Sequence, residues 1–296
     1  MKILLTGANG FLGKIIQSQL HPQEEIISAG RNNTIVICDL SNHIPVIPSI
    51  DMVVHAAGKA HIIPKNAEEK KDFFRVNVQG TQNLLTALEQ NQSLRKFVFI
   101  SSVNVYGLME GINITEDSPL LATDPYGKSK IEAEKLVSEW CAIRNIDYYI
   151  LRLPLIAGKD APGNLGTMVK AIKSGRYLSI GKAQAKKSMV LANDLAGFIT
   201  TIQGPPGVYN LTDGYHPSFY ELEHIIATFY KKKKPVSLPR IAAKMLGIVG
   251  DIVGEKFPVN SNKLKKITST LTFDDTRARA QLKWRPREVL KAWEIE

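Results

Sequence analysis

A chain of 296 residues with 44% apolar and 22% charged side chains can bury one sizeable core, and this composition argues against a disordered or fibrous protein. Its net charge of +10 would suit nucleic acid, an anionic membrane surface or an anionic substrate, but no interleaved basic and aromatic motif supports nucleic-acid binding. Its two cysteines, Cys38 and Cys141, lie far apart, which argues against a disulfide framework or a zinc site; with no secretory pattern and no run of about 20 apolar residues, the expectation is a cytoplasmic protein without a metal.

Residues 2–6 read as a short apolar strand. Gly7-Ala-Asn9-Gly10-Phe11-Leu12-Gly13 follows at once, and residues 14–20 read as a helix. Strand, glycine-rich turn and helix N-terminus make an anion site, because unpaired N–H groups and the helix dipole point at the turn. Gly7 would allow the tight turn, Gly10 the approach of a pyrophosphate and Gly13 close packing of helix on strand, although the spacing is Gly-x-x-Gly-x-x-Gly rather than Gly-x-Gly-x-x-Gly. Residues 25–29 form a second strand ending at Gly30-Arg31. An acidic residue there would bind a ribose 2′-hydroxyl, whereas an arginine accommodates a 2′-phosphate, so Arg31 leans towards NADP(H) unless it is plain surface. Residues 34–38 form a third strand, and Asp39-Leu40 at its end either faces the adenine or caps a helix.

Residues 52–56 form a fourth strand running into Ala56-Ala57-Gly58, whose small side chains let backbone approach a flat ligand. His55 reads as a packed strand residue. Residues 73–88 read as a helix on which Asn77 is placed to orient the neighbouring backbone and helix. Residues 97–100 are a fifth strand opening on Ser101-Ser102-Val-Asn104, and a hydroxyl at the carboxyl end of a parallel strand sits where open α/β sheets bind ligands. The strand–helix alternation predicts an α/β fold, a doubly wound parallel sheet of Rossmann type.

Pro125 ends what precedes it, and residues 128–140 read as a helix with Ile131, Leu136, Val137 and Trp140 on its apolar face. Tyr126 and Lys130, four apart, share one face, where the ammonium would favour phenolate and let Tyr126 exchange a proton near neutral pH. Alone, the same pattern describes a half-buried tyrosine beside a solvated lysine.

These motifs, with Arg152-Leu153-Pro154-Leu-Ile-Ala-Gly158, Gly163-Asn164-Leu165, residues 187–194, Tyr209-Asn210-Leu and Asp274-x-x-Arg277 to Trp284-x-Pro286, resemble the extended short-chain dehydrogenase/reductases that act on nucleotide sugars. The resemblance runs through nearly the whole chain and is nearest to bacterial UDP-N-acetyl-hexosamine 4-epimerases and 4-keto reductases of surface-polysaccharide synthesis. It implies a dinucleotide-binding domain over residues 1–160, interleaved with a smaller α/β substrate lobe over 161–296. It implies that Tyr126 is the general acid/base, that Lys130 lowers its pKa and holds the nicotinamide ribose, and that Ser102 bonds the sugar 4-oxygen. Gly7, Asn9, Gly10, Phe11, Leu12, Gly13, Arg31, Asp39, Leu40, Ala56, Ala57, Gly58, Asn77, Ser101, Leu153 and Pro154 would line an NAD(P) site with Tyr126 and Lys130. Asn104, Asn164, Lys187 and Arg277 would join Ser102 and Tyr126 on a UDP-linked substrate. Val103 and Asn104 stand where family dehydratases carry an Asp-Glu pair, which argues against 4,6-dehydration.

Hydride transfer at sugar C4 is thus the expected reaction, leaning to 4-keto reduction, with 4-epimerisation on tightly held NAD as the alternative and a non-catalytic dinucleotide-binding regulator as a reading of another class. The resemblance also implies a homodimer through the helices holding Asn77 and Tyr126. The lysines at 231–234 read as a solvated stretch, and the apolar residues at 241–253 as core or subunit packing; together they also permit peripheral membrane contact.

Overall fold

The computed structural model describes residues 1–19, 24–60, 62–253 and 260–296. Seven strands form one parallel sheet: β1 (Lys2–Thr6), β2 (Glu25–Gly30), β3 (Val36–Ile37), β4 (Met52–His55), β5 (Lys96–Ser102), β6 (Asp147–Leu153) and β7 (Gly207–Asn210). Across the sheet they run 3-2-1-4-5-6-7. The order therefore reverses between β1 and β4, and a crevice opens beyond the carboxyl ends of the strands at that point.

Period-two alternation explains why helices cover both faces. Ile3 and Leu5, Met52 and Val54, Val98, and Tyr149 and Leu151 point to one side, where they pack with Ile16, Leu195, Ile199 and Trp284. Leu4, Val53, Phe97, Phe99 and Ile150 point to the other, against Leu84, Leu85, Val137 and Trp140. Beyond residue 160, β7 returns to complete the sheet. Part of that region covers the sheet through Leu195, Ile199 and Trp284, and another part packs around Leu165, Met168, Ile172, Leu222, Ile226 and Trp293.

Several elements differ in extent from expectation. The first helix, Phe11–Ser18, starts three residues early, directly on the glycine turn. The last residue expected in it, Leu20, lies outside the described residues. The third strand shrinks to two residues because the Thr34 hydroxyl donates to the Gly30 and Val36 carbonyls, at 3.1 and 3.0 Å, and holds the chain in a turn. The helix carrying Asn77 begins at Ala67 and contains one π-helical turn, Arg75–Gln79. The helix expected from residue 128 spans Pro125–Ile143. Asp124 accepts the Gly127 N–H at 3.0 Å as its N-cap, and Pro125 occupies the first turn, where no amide donor is missed.

Candidate active site

The glycine turn is built by close approach. Gly7 has φ +71°, and a Cβ there would lie 2.6 Å from the Ala57 nitrogen; a Cβ on Gly13 would lie 2.2 Å from the Gly7 oxygen. Larger residues at either position would push the turn off β4 or the helix off the turn. Gly10 is exposed and precedes a helix whose N-terminus has no side-chain cap, so its first amides face the crevice as anion donors. Asn9 bonds the Asn32 carbonyl at 2.5 Å and ties this turn to the loop after β2. Leu12 is buried in the core, and the Phe11 ring packs beside Gly158. Both therefore offer backbone rather than side chain to the turn.

Around the crevice, Ala56 and Ala57 are half-buried and Gly58 is exposed. A Cβ on Gly58 would meet Asn77 Oδ1 at 3.1 Å and Lys130 Nζ at 3.5 Å. Asp39 closes a turn on Ser41, accepting its hydroxyl at 2.7 Å and its amide at 3.0 Å, and caps no helix. Those bonds hold its carboxyl below the usual range, with smaller contributions from Arg31 and Arg75. Arg31 is exposed at the end of β2, and Arg75, near enough to act on Asp39, pairs its guanidinium with Asp72. The Leu40 carbonyl accepts from Asn83 at 2.7 Å.

Lys130 is 5% exposed. Its Nζ donates to the Ile100 carbonyl at 2.8 Å and lies 4.5 Å from the centre of the Phe99 ring. Burial pulls its pKa down to about 8. Tyr126 is half-buried beside Phe73, yet enough protein surrounds it that burial pushes the phenol up to about 12. The neighbouring Ser102 hydroxyl draws it back down. Ser102 Oγ accepts the Asn104 amide at 3.2 Å. The expectation that Lys130 would bring the phenol near neutral is thus not met by the protein groups alone. One of its amine protons goes to the Ile100 carbonyl, and burial of the phenol outweighs the lowering by Ser102.

Asn77 is bonded to backbone and side chain on both sides of it. Its Oδ1 accepts the Lys59 amide at 2.7 Å, and its Nδ2 donates to the Lys59 carbonyl at 3.1 Å and to Ser129 Oγ at 2.9 Å. Ser129 in turn donates to the Tyr126 carbonyl at 2.8 Å, so one amide joins the loop after β4 to the first turn of the Tyr126 helix. His55 is structural. Nδ1 lies 2.6 Å from Thr6 Oγ1 and Nε2 3.0 Å from Thr81 Oγ1, and burial lowers its pKa to about 3.

Two assigned side chains turn elsewhere. The Ser101 hydroxyl bonds Glu134, so only its backbone remains for a cofactor. Glu134 pairs with Arg152 at 2.8 Å, each carboxylate and guanidinium almost wholly buried. Asn104 donates to both Asp124 oxygens, at 3.1 and 3.0 Å, and steadies the helix cap where a dehydratase would place an acid. Leu153 belongs to the core and Pro154 is half-buried after it. Glu134 escaped the sequence reading, although a carboxylate between Ala133 and Val137 on a buried face was its signal.

The expected substrate residues sit on separate elements. Asn164 is exposed in the first turn of helix Gly163–Lys173. Lys187 is half-buried, and burial together with neighbouring Lys266 lowers its pKa to about 8. Arg277, on helix Thr276–Gln281, pairs with Asp117 at 2.6 Å and Glu116 at 3.7 Å; its guanidinium faces that acidic loop.

Open glycine backbone, an uncapped helix N-terminus, a cation beside Gly58 and a hydroxyl–phenol pair make a donor set that fits a dinucleotide. Residues 3–211 match the model of the NAD dependent epimerase/dehydratase family. The chain is 29% identical to an N-acetyl-glucosaminyl-diphospho-undecaprenol 4-epimerase of Escherichia coli O157:H7, covering 93% of this chain and 88% of that one. It is 26% identical to a UDP-glucose 4-epimerase of Vibrio cholerae, over 98% and 92%. In fold it is similar to UDP-glucuronic acid 4-epimerase of Bacillus cereus solved with NAD and to RMD of Pseudomonas aeruginosa solved with NADPH. Each has a TM-score of 0.74, at 20% and 19% identity, and the matches cover 98% of this chain and 95% and 96% of theirs. The chain belongs to the NAD dependent epimerase/dehydratase family.

Proposed function

We propose that this enzyme transfers hydride at C4 of a nucleotide sugar, a UDP-linked N-acetyl-hexosamine or its 6-deoxy relative. The Ser102 hydroxyl at the carboxyl end of the sheet, near enough to Tyr126 to lower the pKa of its phenol, with Lys130 on the Tyr126 helix, carries this reading. When bound, the nicotinamide supplies or takes the hydride. Tyr126 takes or returns the proton of the sugar 4-oxygen, Ser102 holds that oxygen, and Lys130 holds the ribose with the amine protons not given to Ile100. Gly7, Gly10, Gly13 and Gly58 receive the cofactor backbone. Lys187 offers charge to the diphosphate, as a point charge without the fork of an arginine.

Two observations divide the reaction type. Arg31, exposed at the end of β2, suits the 2′-phosphate of NADPH. This favours 4-keto reduction. Both curated relatives carry the name of 4-epimerases, which favours transient oxidation on held NAD+. The test mixes the purified protein with NADPH or NADH and a UDP-4-keto-6-deoxy-N-acetyl-hexosamine and follows reduced-cofactor absorbance. Stoichiometric oxidation establishes reduction. Interconversion of UDP-GlcNAc and UDP-GalNAc without added cofactor establishes epimerisation, and inertness in both assays contradicts the proposal.

A further inference from the structure

Helix Arg240–Val253 is built inside out. Its buried stripe is small, Ala243, Gly247 and Gly250, and a Cβ on Gly247 would meet Ser261 and Leu264 of the following helix, Ser261–Thr268. Five of its large apolar side chains face solvent instead: Ile241 78%, Met245 65%, Ile248 51%, Val249 44% and Val253 54% exposed, with Leu246 beside them at 39%. At 100° per residue these five form one stripe roughly opposite the small residues. Single exposed aliphatics need no explanation, but a continuous stripe of this kind marks a surface that is covered in use.

The surroundings identify what covers it. Lys244 lies on the same helix, Lys265 and Lys266 are exposed on the helix packed against it, and the four lysines at 231–234 are exposed just before it. Asp251, the acid on the described part of the helix, is occupied with the Ser261 amide at 3.0 Å. A second copy would bring this basic face against itself in a two-fold contact, setting lysines against lysines. An anionic surface complements both the apolar stripe and its charged border. No helix among the described residues is long and apolar enough to cross a membrane. At about 1.5 Å per residue this one reaches about 21 Å, short of a hydrocarbon core of about 30 Å, so it lies on a bilayer rather than through it.

We propose that Arg240–Val253 is an interfacial helix that docks the enzyme on an anionic lipid bilayer, with Ile241, Met245, Ile248 and Val249 at the acyl boundary and the flanking lysines on headgroup phosphates. The inference goes beyond the reading of the active site and does not depend on it. Arg240 joins the helix to the substrate lobe at Gly181, where a Cβ would lie 2.9 Å from the Arg240 Cγ, and Lys266 on the helix packed against it lies near Lys187.

The full-length protein is floated with vesicles of phosphatidylglycerol and phosphatidylcholine, and in parallel with phosphatidylcholine alone. The expected result is binding about tenfold or more stronger to the anionic vesicles, weakened by salt, and lowered about tenfold in a Met245→Glu/Ile248→Glu variant of unchanged circular dichroism and oligomeric state. Absence of binding by the native protein overturns the proposal, as does binding that the variant retains. A native oligomer that the variant splits would assign the stripe to subunit contact and overturn it equally. None of these outcomes touches the reaction assay.

Discussion

In the proposed reaction Tyr126, Ser102 and Lys130 carry the chemistry, and their environments set different tasks. Burial raises the pKa of the Tyr126 phenol, and in this reading its removal takes away the proton-transfer group while sparing the fold. Tyr126→Phe is expected to lower kcat by about 10²–10⁴ with little change in thermal midpoint; a loss below about tenfold would remove Tyr126 from the reaction. Lys130 behaves oppositely. Its ammonium, with a pKa of about 8, is present below that pH and lost above it, so activity that depends on the cation declines on the alkaline side. Lys130→Arg keeps the charge, and any residual activity should lose that alkaline limb. An unchanged limb would assign it to another group, with Lys187, also at about 8, the first to examine.

At the scale of elements, the site is held by buried polar links that join a strand end to a helix. His55 bridges Thr6 at the end of β1 to Thr81 beyond the π-helical turn, and it is neutral in the fold. Its folded pKa of about 3 lies below the unfolded value of about 6.5, so the unfolded chain binds a proton first as pH falls. This contribution to stability is present above pH 6.5 and is lost towards pH 3, by up to about 1.4 kcal/mol per pH unit. Urea unfolding at pH 7 and pH 5 should show that slope in the native protein and a smaller one in His55→Gln; equal slopes would contradict the assignment. The Glu134–Arg152 pair links the Tyr126 helix to β6, and both groups are out of water. Glu134→Leu leaves a buried guanidinium uncompensated and should cost about 3–5 kcal/mol, whereas Glu134→Leu with Arg152→Met should recover most of it. No recovery would mean the two groups act separately.

These elements also show what the sequence makes legible. The glycine turn, the small residues after β4, the strand hydroxyls and Tyr-x-x-x-Lys all declare themselves, because backbone approach and functional groups are local properties of residue type. Element lengths are less visible. The third strand was cut short by a Thr34 side-chain bond, and the first helix began on the turn because Gly10 needs no side chain to cap it. The direction in which a polar group points was not legible at all. Ser101 turns to Glu134, Asn104 to Asp124 and Arg277 to Asp117, each towards a partner distant in sequence.

Across the whole molecule, a seven-stranded sheet places the glycine turn, Gly58 and the Ser102–Tyr126 pair around one switch point, while the later half of the chain supplies β7 and a lobe bearing Lys187. Docking through Arg240–Val253 would bring that lobe to a bilayer, where sugar diphosphates carried on lipid are found. The most direct measurement incubates the enzyme with cofactor deuterated at the transferable position and a UDP-4-keto sugar, or holds it with C4-deuterated UDP-N-acetyl-hexosamine, and locates the label by nuclear magnetic resonance. The account predicts deuterium delivered to C4 in the first case, or kept at C4 of both epimers in the second, and neither in Tyr126→Phe. Turnover that leaves C4 unlabelled in the first case, or that washes its label into solvent in the second, would contradict it.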